Sequence, residues 1–156
     1  MKANIGISEP HKKAVAEALN KMLADEFVLF SKLLNAHWNV EGKDFHTVHV
    51  YLEDLYNEQL VIVDETAEFI RFLGHYVTAG LKNYSALTHL TEKYEGKNDS
   101  IGYFKDLLET YDSIIIHLRE HIQPFSEEYK AEDAADYITG LIEKHEKTAW
   151  MLRAHL

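Results

Sequence analysis

Between His49 and Glu68 the chain runs for twenty residues, HVYLEDLYNEQLVIVDETAE, without a proline or a glycine. Apolar Leu52, Leu55 and Ile62, continued by Phe69 and Ile70, recur at helical intervals, so the stretch is expected to form one helix with a buried stripe. Angles and heights on that helix follow from its geometry. At about 100° and 1.5 Å per residue, His49, Glu53, Asp64 and Glu68 fall within roughly 100° of one another, while Glu53 and Asp64 stand about 16 Å apart along the axis. No single metal centre spans that distance. Two half-sites at opposite ends of one helical face can meet when the helix packs antiparallel on a second copy of itself, because a two-fold axis brings the upper pair of one beside the lower pair of the other. Such a dimer would hold two identical sites.

The rest of the chain also reads as helix. A first helix is expected from about Ser8, with Pro10 in its first turn where a missing amide does no harm, and it carries His37 near its end. Glu41-Gly42-Lys43-Asp44 reads as a short turn, with Asp44 as N-cap of the second helix, which should end near Leu73 before Gly74. Residues 75–99 form a long connection in which Ala86 to Tyr94 is expected to make a short helix. Asn98, Asp99 and Ser100 offer caps for a third long helix ending at Pro124, and a fourth runs from about Asp133 to His155. Four long helices with one long crossover and no linker predict an all-α, ferritin-like four-helix bundle with a short extra helix in the crossover, in a single domain over residues 1–156.

Composition narrows the chemistry. The chain has no cysteine, which excludes disulfides and thiolate metal sites and leaves nitrogen and oxygen as the metal donors. Its formal net charge of −10 argues against a broad nucleic-acid footprint and suits a protein that attracts cations. The first ten residues lack the charged-then-apolar pattern of a leader, and no apolar stretch reaches membrane-spanning length, so a soluble cytoplasmic protein with no membrane partner is expected.

Imidazole and carboxylate donors together suit iron, zinc or manganese. Spacing alone also admits a second reading of the 49–68 face, a solvated stripe with weak ion pairs. The Glu-x-x-His signature of bundle-core di-iron proteins is absent, because none of the ten histidines has Glu three residues before it. His-Glu-x-x-His, the zinc peptidase motif, is absent too. His46 lies about 60° from His49 around the helix and reads as a surface or neighbouring histidine. His117 and His121 share a face at i,i+4 but lack a carboxylate of matching orientation in the sequence nearby. His11, His75, His89, His145 and His155 carry no readable signal.

The stretch AHWNVEGKDFHTVHVYLEDLYNEQLVIVDETAEFIRFLG resembles the signature of the Dps family, the mini-ferritins named for DNA protection during starvation, and the similarity continues to EKHEKTAWMLRAHL. The resemblance implies a ferroxidase centre at a two-fold interface, with His37, His49 and Glu53 from one subunit and Asp64 and Glu68 from its mate. Glu68 is then the candidate to hold the tighter iron. Glu53 departs from the pattern, since the family commonly has Asp there, and its extra methylene shifts a metal or turns a direct ligand into a water-mediated one. Trp38 and Trp150 match family positions near the centre, and interface packing accounts for both.

By the same resemblance, the chain is expected to be a ferroxidase in a homododecameric cage. It would oxidise Fe²⁺ with hydrogen peroxide in preference to dioxygen and store Fe³⁺ mineral against oxidative stress, with zinc or manganese as substitutes in the di-iron centre. Three-fold pores lined by carboxylates are implied for iron entry. Asp136 matches the pore position best, supported by Glu127, Glu132 and Asp133, acidic residues that also simply suit a helix start. The alternative is a DNA-compacting nucleoid protein with little ferroxidase activity. Family members that bind DNA often carry Lys-rich tails, whereas Lys2 alone precedes Ser8, so direct DNA binding is not expected.

Overall fold

The computed structural model describes residues 3–156. It is built from α1 (Glu9–Asn39), α2 (Phe45–Phe72), a short α3 (Leu81–Leu87), α4 (Ser100–Gln123), a π-helical turn (Pro124–Glu128) and α5 (Glu132–Arg153). The described residues form no β-strand, only one isolated bridge between Glu41 and Asp99.

Local signals set most helix ends. Ser8 caps α1 by position, with Pro10 in the first turn. Gly74 ends α2 at a φ of 86°, a conformation that glycine adopts without steric cost. There the Gly74 amide donates to the Arg71 carbonyl (2.9 Å) and the His75 amide to the Ile70 carbonyl (3.3 Å), the paired bonds of a Schellman ending. Asp99 caps α4 by accepting the Gly102 amide at 2.8 Å. Asp44 takes the N-cap position of α2, yet its side chain makes no capping bond. Pro124 ends α4, but the chain coils on through the π-helical turn and buries Phe125 completely.

The short turn at residues 40–44 folds α2 back on α1, and α4 pairs with α5 in the same way. Each of the four long helices turns one stripe inward, for example Val48, Leu52, Leu55, Ile62 and Ile70 from α2, and Phe104, Leu107, Tyr111, Ile114 and Leu118 from α4. No helix among the described residues is long and apolar enough to cross a membrane.

The crossover is tied down by polar side chains of α1. Asn20 Oδ1 accepts the Thr78 amide (2.7 Å), Asp25 Oδ1 accepts the Thr88 hydroxyl (2.6 Å), and Lys32 Nζ donates to the Thr91 carbonyl (3.3 Å) and to Asp106 on α4 (3.0 Å). The ties ascend α1 in the order in which the crossover runs, so this segment carries the chain along the bundle. They also correct the sequence expectation of a helix over Ala86 to Tyr94. The short helix lies earlier, over Leu81–Leu87, and at Thr88 the backbone becomes extended (φ −66°, ψ 146°). Its cause is tertiary: Asp25 captures the Thr88 hydroxyl and the His89 amide, which a continuing helix would not present to it.

At the middle of the bundle, Glu26 of α1 is fully buried. Gln59 of α2 donates its amide to Glu26 Oε2 (2.6 Å) and to the Glu26 carbonyl (3.0 Å), and His145 of α5 donates Nε2–H to Oε1 at 3.0 Å. Tyr111 of α4 packs its ring against His145 at 5.4 Å. Burial, followed by the nearby Glu26, pushes the Tyr111 hydroxyl well above the usual phenol range. This network at the middle of the bundle holds one carboxylate, and Asp25, the other buried one, is turned to the crossover. Bundle-core di-iron sites draw carboxylates from all four helices, so this interior is too poor in donors to be one.

Candidate metal centre

His37 ends the buried stripe of α1, and His49 lies one turn into α2, so the hairpin brings the two imidazoles together. Their rings stack at 3.8 Å between centroids and 21° between planes. The two hydrogen bonds are reciprocal: His37 Nδ1 donates to the His49 carbonyl (2.9 Å) and His49 Nδ1 to the His37 carbonyl (2.8 Å). A carbonyl only accepts, so each Nδ1 carries the hydrogen, and Nε2 of each neutral ring keeps a free lone pair. Backbone fixation of one imidazole nitrogen is how proteins orient the other toward a metal. Tyr56 closes edge-on against His37 at 5.1 Å.

Glu53 is one turn beyond His49 and exposed. Asp64 and Glu68 are exposed on the same helix, and among the described residues none of these three carboxylates makes a hydrogen bond or ion pair. Within one chain the five residues do not converge. Two properties of the outward face of α2 bear on how they could. The pairs His49/Glu68 and Glu53/Asp64 are both centred on the Glu58-Gln59 peptide, so a two-fold axis through that point sets His49 opposite Glu68 of a second copy and Glu53 opposite Asp64. Leu60 and Val61 are interleaved with them, 50% and 53% exposed, which is apolar area that a partner helix would cover.

Trp38 and Trp150 are also left in water on one chain, at 68% and 64% exposure. Of the acidic residues read as a pore, Glu127 stands on the π-helical turn, where it accepts a bond from Gln123 (2.9 Å), and Glu132, Asp133 and Asp136 lie in the first turns of α5. All four are exposed.

The donor chemistry of the five-residue set is two oriented imidazoles and three unpaired carboxylates with no thiolate. Donors of these types are ones that suit iron.

Sequence reasoning missed a second cluster. His117 and His121 do share a face, but His121 Nδ1 donates to the His117 carbonyl (3.0 Å), while the His117 ring turns to Asp25 of α1. His89 joins them from the crossover. No local motif could have revealed this, because the three positions come from α1, the crossover and α4.

Comparison with known proteins agrees with this architecture. A family model described as a ferritin-like domain matches residues 16–156. The chain is 35% identical to DNA protection during starvation protein 2 of Bacillus anthracis, over 92% of this chain and 97% of that protein. It is also 35% identical to a DNA protection during starvation protein of Helicobacter pylori, over 90% and 96%. Among solved structures it superposes on a Dps protein from Vibrio cholerae, described as a member of a broad superfamily of ferritin-like diiron-carboxylate proteins, with a TM-score of 0.91, 25% identity and coverage of 98% and 95%. A Dps protein from Bacillus brevis gives 0.88 at 28% identity, covering 96% and 99%. With its all-helical hairpins, its long crossover and these relatives along nearly its whole length, the chain belongs to the Dps family of ferritin-like proteins.

Proposed function

We propose that the chain is a mini-ferritin subunit. Twelve copies close into a cage, bind Fe²⁺ as substrate at sites shared by two chains, oxidise it with hydrogen peroxide in preference to dioxygen, and keep the Fe³⁺ product inside as mineral. This removes two reagents of oxidative damage together. The reading rests chiefly on the outward face of α2, where unpaired carboxylates flank exposed Leu60 and Val61 and the two ligand pairs share one midpoint.

In this reading His37, His49 and Glu53 of one chain face Asp64 and Glu68 of another. Carboxylates favour the more highly charged Fe³⁺, which eases loss of the electron. Two Fe²⁺ supply two electrons to one hydrogen peroxide, which takes up two protons and leaves as two waters, so no one-electron product is released. Asp136, with Glu127, Glu132 and Asp133, would draw the cation toward an entry pore. Trp38 and Trp150 become covered when the chains assemble, as large aromatics at interfaces do.

Anaerobic Fe²⁺ titration followed by peroxide tests the activity. Rapid oxidation at two Fe²⁺ per peroxide, faster than with dioxygen, is expected, and a rate no higher than in buffer would refute it. Light scattering should give about twelve times the 18.1 kDa chain mass; a stable monomer would contradict the cage.

A further inference from the structure

Asp25 is 1% exposed, yet its carboxylate is the meeting point of three chain segments. Oδ1 accepts the Thr88 hydroxyl (2.6 Å) and the His89 amide (3.1 Å). Oδ2 faces two imidazole nitrogens, Nδ1 of His89 at 2.9 Å and Nδ1 of His117 at 3.2 Å. The three ligand atoms lie within 4.8 Å of one another, and among the described residues this is the one group of three His, Asp or Glu donors that does so. The site is separate from His37, which lies twelve residues on, about 18 Å along α1.

Two hydrogens shared with one carboxylate oxygen and one divalent cation make similar demands on these side chains. A tetrahedral ion with nitrogen and oxygen ligands at about 2.0 to 2.1 Å holds neighbouring donors roughly 3.4 Å apart. The two nitrogen–oxygen separations of 2.9 and 3.2 Å need only a few tenths of an ångström of opening, and the two Nδ1 atoms, within 4.8 Å of each other, need only turn toward the shared ion.

The surroundings are those of a held ligand set. His89 Nε2 lies 2.9 Å from the Ser113 hydroxyl, which fixes the ring by its far nitrogen. Thr88 and the His89 amide lock the non-ligating carboxylate oxygen. The side chains of His89 and His117 are 38% and 22% exposed, so the two imidazoles are within reach of solvent. One carboxylate with two neutral imidazoles leaves a divalent ion with a net single positive charge, and this donor set with open positions suits first-row cations rather than calcium or magnesium.

We infer that Asp25, His89 and His117 form a second divalent-cation site, taking Zn²⁺ or Fe²⁺, that clips the crossover to α1 and α4. Binding requires the single ring hydrogen of each neutral imidazole to move from Nδ1 to Nε2, where that of His89 can be donated to the Ser113 hydroxyl, so that each Nδ1 lone pair is free for the metal.

The test uses the assembled full chain carrying His37→Ala, His49→Ala and Glu68→Ala, which leaves the α2 centre two carboxylates and no imidazole, so that nitrogen ligation cannot come from it and the result does not depend on the proposed iron oxidation. After chelation, Co²⁺ is titrated anaerobically as a spectroscopic probe, and Zn²⁺ by calorimetry. The expected result is one ion per chain, with visible cobalt bands of low-coordinate nitrogen and oxygen ligation. His117→Ala should weaken that binding by more than about 100-fold, and Ser113→Ala, which touches only the far nitrogen of His89, by about 10-fold. Failure of the parent to bind, or unchanged affinity and stoichiometry in His117→Ala, would overturn the inference. Crystals of the unmutated chain grown with Zn²⁺ provide a measurement independent of variant folding. An anomalous peak between Asp25, His89 and His117 is expected, and its absence would show that the cluster is only a hydrogen-bonded tie.

Discussion

Replacing Glu26 by alanine should be among the most damaging single changes to the bundle, and its cost can be worked from the contacts. The substitution removes the acceptor of His145 Nε2–H and one of the two acceptors of the Gln59 amide, which keeps the backbone carbonyl of residue 26. A buried donor left without a partner costs about 1–3 kcal/mol. Roughly 50 Å³ of side chain is lost as well, worth about 1 kcal/mol at about 24 cal/mol per Å³ if the site does not collapse. The sum, about 3 kcal/mol, agrees with the range of roughly 3–5 kcal/mol for breaking a buried polar pair from one side. Guanidinium denaturation of metal-free protein at neutral pH, followed by far-UV circular dichroism at fixed chain concentration, should move the midpoint down by about 0.8 M for a slope near 4 kcal/mol/M. Glu26→Gln retains shape and one acceptor and should lose about half as much. The triple change Glu26→Leu, Gln59→Leu and His145→Leu removes the whole network and should cost less than Glu26→Ala, because no donor is stranded. A midpoint shift below about 0.2 M for Glu26→Ala, or a triple variant weaker than the single one, would refute the reasoning.

Two further outcomes follow from the same contacts and charges. Burial is the main cause raising the hydroxyls of Tyr51, Tyr111 and Tyr137 above the ordinary phenol value, against a hydrogen bond between Tyr137 and Thr66 that lowers Tyr137. The unfolded chain therefore releases these protons first, near pH 10, so their contribution is fully present below pH 10 and is lost as pH rises toward the folded values. Absorbance at 295 nm should show a class of tyrosines that ionise only as helicity is lost, and Tyr111→Phe should shrink that class; complete titration with helicity intact would contradict this. Separately, a charge of −10 on every chain should keep the assembled protein from retarding duplex DNA at physiological salt without added divalent ions, and salt-sensitive retardation would show that reading to be wrong.

The parts of the fold legible in the sequence are those set by neighbours along the chain. Ser8 with Pro10, Gly74 after Leu73, and Asp99 three residues before Gly102 mark helix ends because capping is a local transaction between a side chain and amides within one turn. Helical periodicity likewise marks the buried stripes, as in Leu52, Leu55 and Ile62. What was not legible depends on partners far away in sequence. Asp25 ends the short helix of the crossover at Thr88 from 63 residues away. His145, silent in the sequence, finds Glu26 across 119 residues. His89 and His117 converge on Asp25 only because the crossover is laid along α1. The stacking of His37 on His49 lies between these cases: the turn at Glu41 to Asp44 puts both on adjoining helices, but the reciprocal carbonyl bonds are a product of packing.

The central claim is that one iron-oxidising site is divided between two chains, and mixed cages test it most directly. His37→Ala and Glu68→Ala chains, each inactive alone in peroxide-driven Fe²⁺ oxidation, are unfolded, mixed and reassembled, with mixed interfaces verified by mass. A mixed pair should contain one site lacking both groups and one lacking neither, and so recover about half the wild-type activity at each such interface. Verified mixed cages that remain as inactive as their parents would place both groups in the same site of one chain and contradict the account.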